Sequence, residues 1–260
     1  MIPFFQVDAF TSRLFGGNPA GVCPLEEWID DEIMQNIAAE NNLSETAFFV
    51  DRGEWFEITW FTPESEIDLC GHATLASAHV IFNHLNYPYD AIMFDTKQHG
   101  ALYARRSNDL IALDFPASDP VKIPVPDLLT RALGSKPVEL YATRDYLAVF
   151  DTQEEIVRIQ PDFSLLRQLD RMGIIISAPG NDSDFVSRFF APAVGIDEDP
   201  VTGSAHTTLV PYWANRLGKN TLHAYQLSKR KGELFCELQE DRVIIAGKAV
   251  TYMTGEIVIP

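Results

Sequence analysis

The chain has 260 residues, 46% of them hydrophobic, and a formal net charge of -17 from 37 acidic against 20 basic side chains. That length suits two cores of about 130 residues each better than one. The charge repels phosphate backbones and anionic lipid surfaces, and no basic run exceeds Lys229-Arg230-Lys231, so neither nucleic acid nor membrane is an expected partner.

In chain order, Met1 to Asp8 is apolar with no basic region ahead of it, and it reads as a strand over 4–10 and not as an export leader. Ile29, Ile33, Ile37 and Ala38 fall at helical spacing behind Asp30, an N-cap residue type, and Asn41-Asn42 would end that helix. Leu43 to Thr46 then make a turn before a strand over 47–50. A further strand over 55–61 carries Phe56, Ile58 and Trp60 on one face. From 73 to 85 small and apolar residues are continuous, which predicts a helix buried on most sides. Strands over 102–104 and 110–115 flank Ser107-Asn108-Asp109, a hairpin signal.

Residues 118–126 (SDPVKIPVP) hold three prolines, too many for a helix or central strand. They read as a linker between a first domain over 1–117 and a second over 127–260, with the final segment left free to cross back to the first. The second half predicts helices over 127–133, 163–171 and 204–217, strands over 146–150, 173–177 and 185–190, and a closing hairpin from 234–238 and 243–246. The class is mixed α+β in both halves. Three cysteines, Cys23, Cys70 and Cys236, show no CxxC spacing, and no run of about 18 uncharged apolar residues exists, so a cytoplasmic protein is expected.

Two turns look alike. Cys70 to His79 reads CGHATLASAH and Asp199 to His206 reads DPVTGSAH; each follows an aromatic strand that ends in proline, and each leads into a helix. Aligning Gly71 with Gly203 gives an offset of 132 (203 minus 71), whereas Phe61-Thr62-Pro63 meets Phe190-Ala191-Pro192 at 129 (190 minus 61). A helix N-terminus offers unpaired N–H groups, and glycine lets an anion approach them closely. The plain reading of Gly71 and Gly203 is that they only serve tight turns. Against it stands the density of proton-handling groups: Cys70 and His72 at one turn, Asp199, Ser204 and His206 at the other, and Glu45 beside Ser44. Neither turn matches a nucleotide phosphate loop, no GxSxG elbow surrounds Ser204, and His72 with His79 lacks a third ligand for zinc.

Four motifs in order are then similar to those of the PhzF-like family, the isomerases and epimerase-like proteins of the phenazine biosynthesis type: VDAFTSRLFGGNPAGV at 7–22, NLSETAFFV at 42–50, WFTPESEIDLCGHATLASAHV at 60–80 and DEDPVTGSAHTTLVPYW at 197–213. IAGKAVTYMTGEI at 245–257 also fits. Through that family the chain resembles diaminopimelate epimerase and proline racemase. The resemblance implies two similar domains related by a pseudo-twofold, each a sheet rolled around a central helix, with the active site between them.

It further implies that Glu45 moves the substrate proton and that His72, Asp199 and Ser204 assist. Gly71, Ala73, Gly203 and Ala205, with Asn18 and Cys70, would hold a small carboxylate; His206 is a candidate substrate contact. Neither metal nor cofactor is expected, and a homodimer is the assembly that family members suggest. The cysteine racemases place a second thiol where this chain has Thr202, whose hydroxyl cannot serve as a thiolate base. The expectation is an isomerase that moves a proton with a single glutamate. Two alternatives are a non-catalytic anion-binding or scaffold protein and a cysteine-dependent racemase.

Overall fold

The computed structural model of the protein describes residues 1–98 and 100–259. The chain divides into two compact units, Met1–Asp114 with Ala246–Pro260, and Phe115–Ile245.

The first unit runs β1 (Ile2–Ala9), β2 (Asn18–Leu25), α1 (Asp31–Asn41), β3 (Glu45–Asp51), β4 (Phe56–Phe61), β5 (Glu66–Ile67), α2 (Gly71–His84), β6 (Ala91–Thr96), β7 (Gly100–Ser107) and β8 (Leu110–Pro116). β1 and β2 pair antiparallel, β2 and β3 parallel, β3 and β4 antiparallel, β4 and β6 parallel, and β6 with β7 and β7 with β8 antiparallel. α2 packs against β1, β2, β3 and β7. Residues 72–78 and 80–82 of α2 are buried, so it has almost no solvent face, as its unbroken run of small and apolar residues predicts. A second apolar cluster joins Met34, Ile37 and Ala38 of α1 to Phe48, Val50 and Cys23.

The second unit runs β9 (Val121–Ile123), α3 (Asp127–Leu133), β10 (Glu139–Ala142), β11 (Tyr146–Val149), α4 (Gln153–Arg158), α5 (Phe163–Leu166), β12 (Ile174–Pro179), β13 (Phe185–Ala191), β14 (Ile196–Asp199), α6 (Gly203–Leu217), β15 (Thr221–Gln226), β16 (Gly232–Gln239) and β17 (Arg242–Gly247). The pairing from β10 onward repeats that of the first unit from β1: antiparallel to β11, parallel to β12, antiparallel to β13, a short antiparallel β14, then parallel β15 and antiparallel β16. α6 packs on β15 and β16 and carries a comparably buried face from Ala205 to Ala214. The repeated turn of the sequence is therefore a repeated fold.

The last strand, β18 (Ala249–Ile257), pairs antiparallel with β1 and so belongs to the first unit. Its counterpart is β9, which follows β8 and pairs antiparallel with β10 of the second unit. Residues 118–126, read from sequence as a linker, thus contain a strand.

Other expectations change in detail. The first strand stops at Ala9 because Phe10 turns into the left-handed region at φ 60°. Asp30 stands at the N-cap of α1, yet its carboxylate makes no capping bond; its carbonyl receives the amides of Ile33 and Met34 instead. Asn42 ends α1 in the left-handed conformation, φ 48°, as an Asn C-cap should. The helix expected over 163–171 is one turn over 163–166, started by Asp162, whose carboxylate accepts from the amides of Ser164 and Leu165. No helix among the described residues is long and apolar enough to cross a membrane.

Candidate active site

In the first unit three chain segments converge. Glu45 is the first residue of β3, opposite Ala20 of the parallel β2, and Asn18 is the first residue of β2, opposite Ala9 of β1. His72 is the second residue of α2, behind Cys70 at the N-cap in extended backbone with no side-chain capping bond. Asn18, Glu45, Cys70 and His72 are all buried.

The His72 ring meets different partners on its two edges. Nε2 lies 3.0 Å from Oε2 of Glu45. Beyond this contact with each other, Glu45 Oε2 and His72 Nε2 are both buried without a hydrogen-bond partner among the described residues. Nδ1 lies 3.2 Å from the Asn18 amide nitrogen and 3.4 Å from Cys70 Sγ. Two buried polar atoms with no partner beyond each other carry a desolvation cost that a bound polar group would relieve.

Burial works against a charged His72; its pKa is raised well above the usual imidazole range by the charge of a Cys70 thiolate first and of Glu45 second, and the first of these is absent while Cys70 is a thiol. Burial first, then the Glu45 charge, pushes the Cys70 thiol up, so Cys70 is a poor thiolate at neutral pH. Donor atoms of Glu45, Cys70 and His72 lie within 4.8 Å of one another, a spacing a metal ion could use. A histidine binds one ion through one nitrogen, however, and here Glu45 addresses Nε2 while Cys70 addresses Nδ1. The arrangement suits proton handling better than chelation.

In the second unit the corresponding turn is tied down differently. Thr202, at the N-cap of α6, donates its hydroxyl to Asp199 Oδ2 at 2.5 Å. Gln226, fully buried at the end of β15, accepts from the Thr202 amide at 2.9 Å and donates to the Asp199 carbonyl and the Thr202 hydroxyl. Arg144, from the turn between β10 and β11, donates to the Ser204 hydroxyl at 3.1 Å and pairs with Asp145. Gly203, Ser204 and Ala205 begin α6 without a side-chain cap. The structure thus gathers Asp199, Ser204, Gly203 and Ala205 at one helix start, and Asn18, Glu45, Cys70, Gly71, His72 and Ala73 at the other.

His206, expected as a candidate substrate contact, is fully buried. Its Nδ1 donates to the Thr202 carbonyl at 2.9 Å, its ring lies against Phe185, and burial lowers its pKa to about 4. It is a core residue of the second unit.

The two repeats differ in chemistry. Thr46 lies opposite Phe61 in the first unit and Ile174 opposite Phe190 in the second, so the place of Glu45 is taken by Gly173. A Cβ on Gly173 would meet Phe189 Cζ at 2.4 Å and Asp145 Oδ1 at 2.8 Å, leaving no room for a carboxylate. By the alignment of Gly71 with Gly203, Thr202 stands for Cys70 and Ser204 for His72. Thr202, Gln226 and Arg144 were not anticipated as site residues. Gln226 and Arg144 lie outside every motif, and no signal in the sequence marks them.

A family model described as phenazine biosynthesis-like protein (PhzC-PhzF) matches residues 7–255. A Pseudomonas aeruginosa protein named an uncharacterized isomerase is 50% identical over 256 residues, covering 98% of each chain. The crystal structure of a PhzF family phenazine biosynthesis protein from Enterococcus faecalis superposes with a TM-score of 0.97 at 48% identity, covering 99% of each chain. A hydroxyproline epimerase from Agrobacterium vitis, solved with bound trans-4-hydroxy-L-proline, shares the fold at 11% identity and a TM-score of 0.63, over 98% of this chain and 91% of that one.

Proposed function

This chain belongs to the phenazine biosynthesis-like family, and on that premise we propose that it is a cofactor-independent isomerase that moves a proton on a small carboxylate substrate, with Glu45 as the single base. The observation that carries the reading is the buried pair Glu45 Oε2 and His72 Nε2, 3.0 Å apart, with no partner beyond each other among the described residues. Glu45 takes a proton from an acidic C–H, and the electron pair of that bond moves into an enolate. The N–H of His72 donates to the developing oxyanion, and Glu45 returns the proton to another carbon, so no atom is lost. The uncapped amides that begin α2 suit the substrate carboxylate.

Two features support one base over two. Gly173 replaces Glu45 in the second repeat, and the thiol pair of a cysteine racemase lacks its second member because Thr202 commits its hydroxyl to Asp199. Asp199 and Ser204 enter as assisting groups on the family resemblance.

The test is proton exchange in deuterated water, followed by NMR over a panel of small hydroxy and amino carboxylates. A family substrate should incorporate deuterium at carbon in the presence of the protein. A folded protein that binds members of the panel and exchanges none of them would leave the anion-binding reading in its place.

A further inference from the structure

Asn18 is wholly buried, and its contacts are directional. Ser44, the residue before Glu45, donates its hydroxyl to Asn18 Oδ1 at 3.3 Å. With the carbonyl oxygen engaged there, the amide turns its Nδ2 toward His72 Nδ1, 3.2 Å away. An NH₂ group only donates, so in the neutral ring this contact is a hydrogen bond when Nδ1 presents its lone pair. The other neighbour of Nδ1, Cys70 Sγ at 3.4 Å, is also a donor while it remains a thiol. A proton on Nδ1 would face the Asn18 amide hydrogens and lose that hydrogen bond.

We infer that Asn18 is a positioning residue that holds His72 in the tautomer with its proton on Nε2, so the ring edge facing Glu45 offers an N–H and not a lone pair. The inference rests on the reading of Glu45 as the base and assigns the complementary role: His72 cannot compete with Glu45 for the carbon proton and can only stabilise the oxyanion. The backbone supports this. Asn18 and Glu45 both lie at the start of their strands, with β2 and β3 in parallel register from Ala20 opposite Glu45. Asn18 therefore orients the ring from the sheet that carries the base, and Ser44 links the two through the chain.

The test is ¹⁵N NMR of the full chain, labelled in histidine, with the His72 signals assigned by their loss in His72→Gln. The neutral ring should show Nδ1 at the unprotonated shift and Nε2 at the protonated one. Asn18→Leu should let the tautomers mix, and Asn18→Asp should move the proton to Nδ1 and shift the His72 titration to higher pH. In Asn18→Leu the exchange kcat should fall roughly 10²-fold with KM little changed.

A wild-type Nδ1 that is protonated, an imidazolium at every pH where the protein is folded, or an Asn18→Leu tautomer identical to wild type would each overturn the inference. If Asn18→Leu does not fold, the wild-type and Asn18→Asp spectra decide. Because the tautomer is read without turnover, the two readings fail separately. Exchange that survives Glu45→Gln sinks the single-base mechanism, whereas the wrong tautomer beside an inactive Glu45→Gln sinks only the role of Asn18.

Discussion

Cys70 Sγ lies 3.4 Å from Nδ1 of His72, on the ring edge that Asn18 also uses and away from the edge that meets Glu45. The thiol that a cysteine racemase would need is therefore adjacent to the proposed base without taking its place.

From this, Glu45→Gln should lower deuterium exchange by about 10²–10⁴-fold, the range for removal of a positioned general base. Cys70→Ser should keep most of the rate. Circular dichroism of both variants checks that the loss is chemical. The reverse order, an inactive Cys70→Ser with an active Glu45→Gln, would contradict the assignment.

Exchange should also persist after exhaustive dialysis against a chelator, since Glu45 and Cys70 address opposite nitrogens of His72. Restoration of lost activity by added zinc would instead make Glu45, Cys70 and His72 ligands.

His206 should make the fold sensitive to acid. Its pKa is lowered to about 4 in the folded protein against 6.5 ordinarily, so between these values the unfolded chain takes up a proton that the folded chain does not. Stability is then fully present above pH 6.5 and falls as the pH drops toward 4, by on the order of 3 kcal/mol from this group. His206→Asn, whose amide can replace Nδ1 toward the Thr202 carbonyl, should flatten that slope in urea melts at a series of pH values. An unchanged slope would remove His206 as the cause.

Gly173→Ala should destabilise by about 1–3 kcal/mol, because the new methyl meets a buried phenyl ring and a carboxylate at well under contact distance. Denaturant midpoints read it directly, and a neutral result would mean that Phe189 can give way.

Much of this was readable in the chain, and the unread parts have physical reasons. The two helix starts were visible from glycine followed by small residues, and α2 begins two residues and α6 one residue ahead of the expected starts. β2 was not, since Pro19, Gly21 and Pro24 are loop signals. It is nonetheless paired on both sides, with the prolines at the second and seventh of its eight positions, close to its ends. β9 was hidden in the same way by the prolines around Val121–Ile123. Glu45 and His72 are 27 positions apart (72 minus 45), and only the parallel pairing of β2 with β3 and the packing of α2 bring them together. Gln226 and Arg144 depend on contacts across 24 and 60 positions that no local pattern encodes.

The placement of β18 has a consequence for biosynthesis. The unit that holds Glu45 and His72 lacks one strand until β18 is made, because that partner of β1 begins 133 residues after β8 ends (249 minus 116). At about 5–20 residues per second the ribosome takes on the order of ten seconds to reach it after β8. During that interval β1 presents a bare edge to any other nascent chain. A protease that removed β18 would reopen the same edge of the unit that holds Glu45 and His72.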